Sequence, residues 1–544
     1  YDTVDRLHLS GNDTGPRTIV RVRKSGNLQF WEPFNTQHLH RYAIRRNVYK
    51  SVLGHKLCFE EINEDLGLAF RYTWSTSEEF GFVRDSELLN LGADTTQVDV
   101  LDGLQNLLPA GTPRYTQTNS SNLVNAYKWA EIDEPTGLAF LALYSGITDR
   151  AEPCESLRAT SVFCLGAEDP TYLVSSTQFD QFRNGEDVTP EAHKRGIRCS
   201  YFCVQKQALE ANTPKSWRIV VNAEQAQADL VELRHSLREP ESLTGAIDAS
   251  VAAGGDRLAR IMGAADAFQS TPEENVSAHH YANVLFNVLR GGIFDDGYQV
   301  SAQDFRKTVA LFNARVATSN RELLESLPEQ IAYRDLLETV TKAGDAQLHR
   351  LALEYLPITF GRRHGDPSRP WNQFAIILKD EDGKDLLSYQ GNWRDIFKNW
   401  EALAMSYPSF VESMIAKFVN ASTADGYNPY LITKEGIDWE VEEPDDPWRY
   451  IGYWGDHQII YLLRLLEAWD QYEPGSIGEW LDRPVFVYAD VPYRIADFPA
   501  MVRDPRNTIS FDEERGELIA RREREVGADG RLVVDTGGEL CRVG

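Results

Sequence analysis

The spacing of apolar residues changes once along this chain, near residue 222, and that change restricts the folds open to it. Before it, short runs alternate between apolar and polar residues. Thr18-Ile-Val-Arg-Val-Arg23, Gly67-Leu-Ala-Phe-Arg-Tyr-Thr-Trp74 and Phe80-Gly-Phe-Val83 are examples, continued by Leu123–Trp129, Gly137–Tyr144 and Ser216–Val221. Runs of period two, rich in aromatic and β-branched residues and separated by Gly, Asn, Asp and Pro clusters, read as strands. Many short strands without long helices between them imply antiparallel sheets, most simply two stacked in a large sandwich over residues 1–221.

After the change the period is helical. Ala223, Ala226, Leu230, Leu233 and Leu237 fall on one face. Pro240 ends that helix, and Leu258, Ile261, Met262, Ala265 and Phe268 mark another before Pro272. Residues 222–272 are therefore expected to form a helical linker. From 273 onward the pattern predicts helices over about 274–289, 328–343, 345–355, 394–406, 408–421 and 457–472. Ser301-Ala-Gln-Asp304 has the form of a helix start, a hydroxyl cap with an acid three residues on. Ile459, Ile460, Leu462, Leu463, Leu465, Leu466 and Trp469 make the last helix apolar around most of its circumference. Such a helix is expected to be covered on all sides, as in the inner ring of a toroid. The expected fold class is α+β: an N-terminal antiparallel β-sandwich, a helical linker, then an (α/α) toroid over 273–544. The helices found are too few for a complete ring. Either the toroid is incomplete, or the charged tail after about residue 500 holds further helices.

Charge narrows the ligand. Lys and Arg total 56 against 82 Asp and Glu, a formal charge of −26 over 544 residues. That surface repels phosphate backbones and anionic lipid, so neither nucleic acid nor membrane is an expected partner. No apolar run approaches the roughly 18 residues that a bilayer demands. Six cysteines are too few for a disulfide framework, and Cys199 and Cys203 lack a second pair at zinc-ribbon spacing, so no metal is expected. No secretory leader is legible, although the chain opens at Tyr1 rather than Met, and the expected location is the cytoplasm.

Eight of the twelve tryptophans lie between Trp371 and Trp480. Between Asp425 and Gln458 they are joined by Tyr427, Tyr430, Tyr450 and Tyr453 and by Asp425, Asp438, Glu440, Glu442, Asp445, Asp446 and Asp456. Indole faces beside carboxylates and amides suit a sugar, whose flat C–H face stacks while its hydroxyls seek donors and acceptors. The plainer reading is a packed aromatic core with an acidic, solvated loop, and for Trp469 and Trp480 that reading is preferred.

Three polar clusters lie in the same region. Gly361-Arg-Arg-His-Gly-Asp-Pro-Ser-Arg-Pro-Trp-Asn372 is a rigid basic loop in an acidic protein. It suits an anion or hydroxyl clamp through Arg363, His364 and Asp366, or else arginines bridging to neighbouring acids. Gly391–Glu401 carries turn residues into a helix, with Arg394 and Asp395 in its first turn and Asn399 and Glu401 farther on. An Arg–Asp pair there can hold a diol, although a helix N-terminus alone accounts for Asp395. Gly452-Tyr-Trp-Gly-Asp-His-Gln458 opens the apolar helix, so Asp456 and His457 need partners or a ligand, or Asp456 is simply a cap.

In this order the clusters resemble the inverting glycoside phosphorylases of the cellobiose phosphorylase family. Arg394-Asp395-Ile-Phe-Lys-Asn399 is similar to that family's Arg-Asp-x-x-Gln-Asp sugar motif, keeping its first pair and departing at the second. Asp425-Gly426 resembles a following Asp-Gly loop, and Trp454-Gly-Asp456-His457 a Ser-Asp-Asp-His helix start. The likeness spans about residues 360–470, and it is greater still to a group of long bacterial proteins that themselves resemble cellobiose phosphorylase. The resemblance implies a β-sandwich, helical linker and (α/α)6 barrel. It also implies inverting cleavage of a β-linked gluco-oligosaccharide by phosphate or water, with phosphate as co-substrate and no resident cofactor. Arg394 and Asp395 would hold the sugar, and Trp393 and Trp454 would stack on it. Glu401, His457, Arg363, His364 and Asp366 would complete the subsite. The family's general acid lies in a Trp-Asn-Asp motif, and none occurs here. Asp456 is then the best acid in this chain, or the second half of the barrel comes from a further segment or from a second copy in a homo-oligomer. A non-catalytic glycan-binding or scaffold protein and a polysaccharide lyase are the alternatives.

Overall fold

The computed structural model describes residues 12–24, 27–36, 39–147, 156–362, 378–380, 384–424, 426–439, 458–481, 486–505 and 509–531. The chain divides into two compact units, Tyr1–Ala259 and Arg260–Gly544.

The first unit is built on two antiparallel sheets. One contains β1 (Gly15–Lys24), β2 (Asn27–Trp31), β7 (Thr96–Leu107), β11 (Thr171–Leu173) and β13 (Cys199–Leu209), in the order β11-β13-β7-β1-β2. The other contains β3 (Ile44–Lys50), β4 (Leu57–Asn63), β5 (Leu68–Ser77), β6 (Gly81–Asn90), β8 (Lys128–Asp133), β9 (Leu138–Leu143), β10 (Arg158–Leu165), β12 (His193–Arg195) and β14 (Lys215–Ala226). Its order is β12-β8-β9-β10-β14-β6-β5-β4-β3. Val20, Val22, Val100, Leu104 and Tyr201 from the first sheet interleave with Phe70, Leu88, Leu141, Val162 and Ile219 from the second. Strand alternation explains which residues turn away. On β10, Val162 and Cys164 enter this core, while Phe163 and Leu165 face the other side.

That other side is covered by helices. Leu237, Leu243, Ile247 and Val251 pack on Val83, Leu138, Phe163 and Val220. They belong to the turn after α1 (Gln227–Ser236) and to α2 (Pro240–Ala264). The residues expected to act as a linker therefore form, in large part, a layer of the sandwich unit. Pro240 opens a helix of 25 residues here, because proline lacks only an N–H that the first turn leaves unused.

The sandwich also buries an ion pair. Asp102, fully enclosed, accepts from Arg84 at 2.7 and 3.0 Å, Thr18 Oγ1 at 2.6 Å, Ser86 Oγ at 3.2 Å and Trp217 Nε1 at 2.7 Å. Every carboxylate lone pair is thus occupied, which is the condition for a charge to sit between two sheets.

In the second unit, α3 (Glu274–Gly291) is followed by a module whose two ends are clasped together. β15 (Ile293–Phe294) pairs antiparallel with β18 (Ile358–Thr359). Between them, β16 (Gln299–Ser301) pairs with β17 (Gln330–Ala332), enclosing α4 (Ala302–Phe312), α5 (Ala314–Ser319) and α6 (Arg321–Ser326). α7 (Tyr333–Ala343) and α8 (Ala346–Leu353) complete the module. Its helix starts are capped by Ser301, whose Oγ accepts from Asp304 N, by Asn313 and by Asp345.

Beyond the module, β19 (Gly361–Arg362) runs parallel to β20 (Tyr389–Asn392), which pairs with β21 (Leu431–Thr433) and through it with β22 (Ile437–Asp438). α9 (Trp393–Ala404) leaves β20 and packs on α3. Trp400 Nε1 donates to Gly291 O at 2.8 Å, and Asn399 Nδ2 to Asn287 Oδ1 at 2.8 Å. A β-carbon on Gly291 would lie 2.9 Å from that of Asn399, so glycine is what lets the two helices approach. α10 (Val411–Asn420) and α11 (Gln458–Tyr472) follow, then β23 (Tyr493–Ile495), β24 (Ile509–Phe511) and α12 (Glu513–Val526). α12 is a helix of the charged tail.

Two expectations are corrected here. Ile459, Ile460 and Leu463 on α11 are exposed, each by half or more, and only Leu465 and Trp469 of that apolar set are buried. The helix presents one face to neighbours rather than its whole circumference. Trp393, expected to stack on a sugar, is fully enclosed, with its ring against Phe397 at 4.7 Å and Phe418 at 5.3 Å. An indole hidden between helices has no face to offer a ligand.

Candidate functional site

The four-stranded sheet joins segments that the sequence holds far apart. Gly361 and Arg362 begin the basic loop, Gly391 and Asn392 begin the Arg394–Asp395 cluster, and Leu431–Asp438 belong to the aromatic and acidic stretch. The register sets Arg362 beside Gln390 and Asn392 beside Leu431. Trp393 N donates to Tyr430 O at 2.9 Å, tying the start of α9 to the same hairpin.

Two adjoining cavities flank β22. One, of about 190 Å³, is lined by Phe312, Glu354, Lys417, Thr433, Glu435 and Asp438 among others. The second, of about 440 Å³, is lined by Trp439, Tyr493, Phe511, Glu513 and Glu517, and it shares Asp438 and Glu523 with the first. Trp439 leans on Tyr427 at 5.3 Å and Tyr493 meets Phe511 edge-on at 5.5 Å. The indole Nε1 of Trp439 is buried without a hydrogen-bond partner among the described residues.

The floor of the smaller cavity is rigid. Arg350 donates to Glu354 at 2.8 Å and is paired with Asp529, which also accepts from Asn313 at 3.2 Å. Asn420 donates to Glu354 at 2.5 Å, and Lys417 Nζ reaches Glu354 O at 3.4 Å. Burial opposes the charge on Arg350, but two carboxylates outweigh it and raise its pKa further. Burial pulls the Lys417 ammonium below its usual range. Gly527 and Gly530, after α12, bring backbone so close to Leu311 and Glu523 that a β-carbon would collide at 2.2 Å in both places. Asp490 is engaged by Arg515 Nε at 2.7 Å and Arg522 at 2.6 Å, so it serves structure rather than a ligand.

Rings, exposed carboxylates and one buried ammonium make a cleft of strongly negative balance. It disfavours anions and suits a neutral molecule with many hydroxyls. Among the described residues no group of three His, Cys, Asp or Glu side chains is placed to hold a metal ion. No helix of the described residues is long and apolar enough to cross a membrane.

Of the residues singled out in the sequence, Asp395 lies half-buried in the first turn of α9, and Glu401 faces α11 through an ion pair with Arg464 at 3.0 Å. Neither they nor Trp393 line the two cavities. Arg363, His364, Asp366, Trp454, Asp456, His457 and the side chain of Arg394 lie outside the described residues. Sequence reading included Asp438, Tyr427 and Trp439 in its aromatic and acidic stretch. It missed Glu354, Lys417, Glu523, Tyr493 and Phe511, which come from α8, α10 and the tail and carry no local motif. The turns at Gly527 and Gly530 were the available hint.

Residues 294–357 match the family model for glycoside hydrolase family 149 insertion domain 1. A bacterial glucoamylase in complex with acarbose is similar at 10% identity, over 87% of this chain and 74% of that one, with a TM-score of 0.33. A candidate kojibiose phosphorylase from the human microbiome is similar at 10% identity over 84% and 55%, with a TM-score of 0.30. A family GH92 α-mannosidase from Bacteroides thetaiotaomicron is similar at 9% identity over 78% and 59%, with a TM-score of 0.25. The chain thus spans little more than half the length of the last two. No curated protein matches. The family-model match is confined to residues 294–357, and nothing in it singles out the cellobiose phosphorylase family.

Proposed function

We propose that this chain is carbohydrate-active and cleaves a β-linked gluco-oligosaccharide with inversion, using phosphate or water as the attacking group. The observation that carries the reading is the match of residues 294–357 to a glycoside hydrolase insertion domain. The cleft beside β22 adds support, since its rings and carboxylates suit a neutral polyol. In this reading the clasped module is an insert in a helical frame, because α3 before it and α9 after it pack directly on each other through Gly291. The helices of 302–353 then belong to the insert rather than to a toroid, and the frame itself is made by α3, α9, α10 and α11.

The finer roles rest on the resemblance. Arg394 and Asp395 hold the sugar at the cleavage point, Trp454 stacks on it, and His457 lies beside it. Arg363, His364 and Asp366 form the loop that meets phosphate. Asp456 donates its proton to the glycosidic oxygen as the bond to the anomeric carbon breaks, and phosphate enters from the opposite face. With water, a second carboxylate about 6.5–9.5 Å away takes the water's proton.

The test is incubation of the full chain with β-linked gluco-oligosaccharides of differing linkage, with and without inorganic phosphate, following products by NMR. A sugar 1-phosphate of α configuration, or a free α-anomer when water attacks, is expected at early times. Asp456→Asn is expected to abolish turnover while sparing affinity, and an active variant would refute that role. Binding without product would instead establish the glycan-binding alternative. An unsaturated product absorbing in the ultraviolet would establish a lyase.

A further inference from the structure

The sandwich unit carries a polar hollow of about 520 Å³, lined by none of the residues that line the helical unit's cleft. Its floor is a buried triad. Glu32, 2% exposed, accepts from Arg17 at 2.5 Å, from Arg183 Nε at 2.6 Å and from Asn35 at 3.0 Å. Arg183 also reaches Asp180 at 2.8 Å, and Arg17 reaches Asn12 at 3.2 Å. Arg17 Nε is buried and has no hydrogen-bond partner among the described residues. The walls add the rings of Phe30 and Phe179, the amide of Gln105 and the hydroxyls of Ser176 and Thr177.

A buried ion triad rarely adds stability over apolar packing, and the outer face of this sheet already has an apolar cover from Phe179 and Phe182. The two guanidiniums stand against three carboxylates, Glu32 on the floor and Asp13 and Asp180 at the rim, which leaves one net negative charge. The hollow is then only weakly charged, dense in donors and acceptors in several directions, and bordered by the half-buried ring of Phe30. That is chemistry suited to an uncharged polyol, and the excess carboxylate disfavours anions.

We infer that the hollow between β1, β2 and the short helix Phe179–Arg183 is a second saccharide-binding site, built by residues other than those of the helical unit's cleft. The sugar class rests on the function proposed above; the site itself rests on the geometry of the triad and its walls. Thr177→Trp fills the mouth of the hollow from an exposed position, leaving the triad intact. Arg183→Ala removes a floor donor while Arg17 and Asn35 still hold Glu32.

The experiment is hydrogen-exchange mass spectrometry of the full chain with and without a β-linked gluco-hexasaccharide, together with calorimetric titration. Ligand-dependent protection is expected over residues 27–35 and 176–184 in the wild type. Both variants should lose it, with affinity at that site falling at least tenfold and with unchanged thermal midpoint for Thr177→Trp. Protection over 431–439 and 511–524 reports the helical unit's cleft separately, so failure of one site does not conceal failure of the other. Absence of protection at 27–35 and 176–184 in the wild type, or its persistence in both variants, overturns the inference.

Discussion

At the scale of single residues, burial decides which polar groups are structural and which remain available. Asp102 has all its acceptor capacity filled between the sheets, and Arg84 beside it is equally enclosed. Asp102→Ala leaves a guanidinium buried without its counter-charge, and about 3–5 kcal/mol of stability is expected to be lost, read as a shift in denaturant midpoint. Glu32 gives a pH-dependent counterpart. Burial raises its carboxyl, but hydrogen bonds from Arg183 and the charge of Arg17 outweigh this and hold it below the usual range of 4.5. A depressed carboxyl stabilises the fold above its unfolded value and loses that contribution as pH falls through the folded one. Acid unfolding below about pH 4.5 should therefore be less steep in Glu32→Gln than in the wild type, as measured by circular dichroism across a pH series. The Ser301 cap was legible in the sequence because its chemistry is local. The fate of Trp393 was not, because the same indole serves a core or a sugar face according to what packs on it.

At the scale of elements, the two periods were readable and the packing was not. Helices near 274–289, 394–406 and 457–472 follow from apolar spacing, and the structure has α3, α9 and α11 there. What spacing cannot report is that β15 and β18, two residues each, close a module between them, or that α1 and α2 lie on a sheet. Gly291 shows how one position governs such an interface. In Gly291→Leu the added side chain meets Asn399 and Trp400, so α3 and α9 must separate. A loss of about 1–3 kcal/mol is expected, with a changed near-ultraviolet tryptophan signal as Trp400 loses its bond to Gly291 O. Retention of both stability and spectrum would show that the helices do not meet as described.

At the scale of the whole molecule, the chain is a sandwich unit and a helical unit, each with its own polar concavity. The sandwich was legible because its strands bury alternate residues on two faces. The candidate cleft was only partly legible, since α8, α10, the β21–β22 hairpin and α12 contribute to it from positions more than 150 residues apart. The excess of carboxylates, spread over the sequence as net charge, becomes in the cleft a preference for an uncharged ligand.

Calorimetric titration of the wild type and of Trp439→Ala with a β-linked gluco-oligosaccharide tests sugar binding in that cleft most directly. Loss of the indole that leans on Tyr427 and lines the larger cavity together with Asp438 and Glu523 is expected to cost about 2 kcal/mol of binding, roughly thirty-fold in affinity. Equal affinity in the two proteins, or no heat of binding in the wild type, would contradict it.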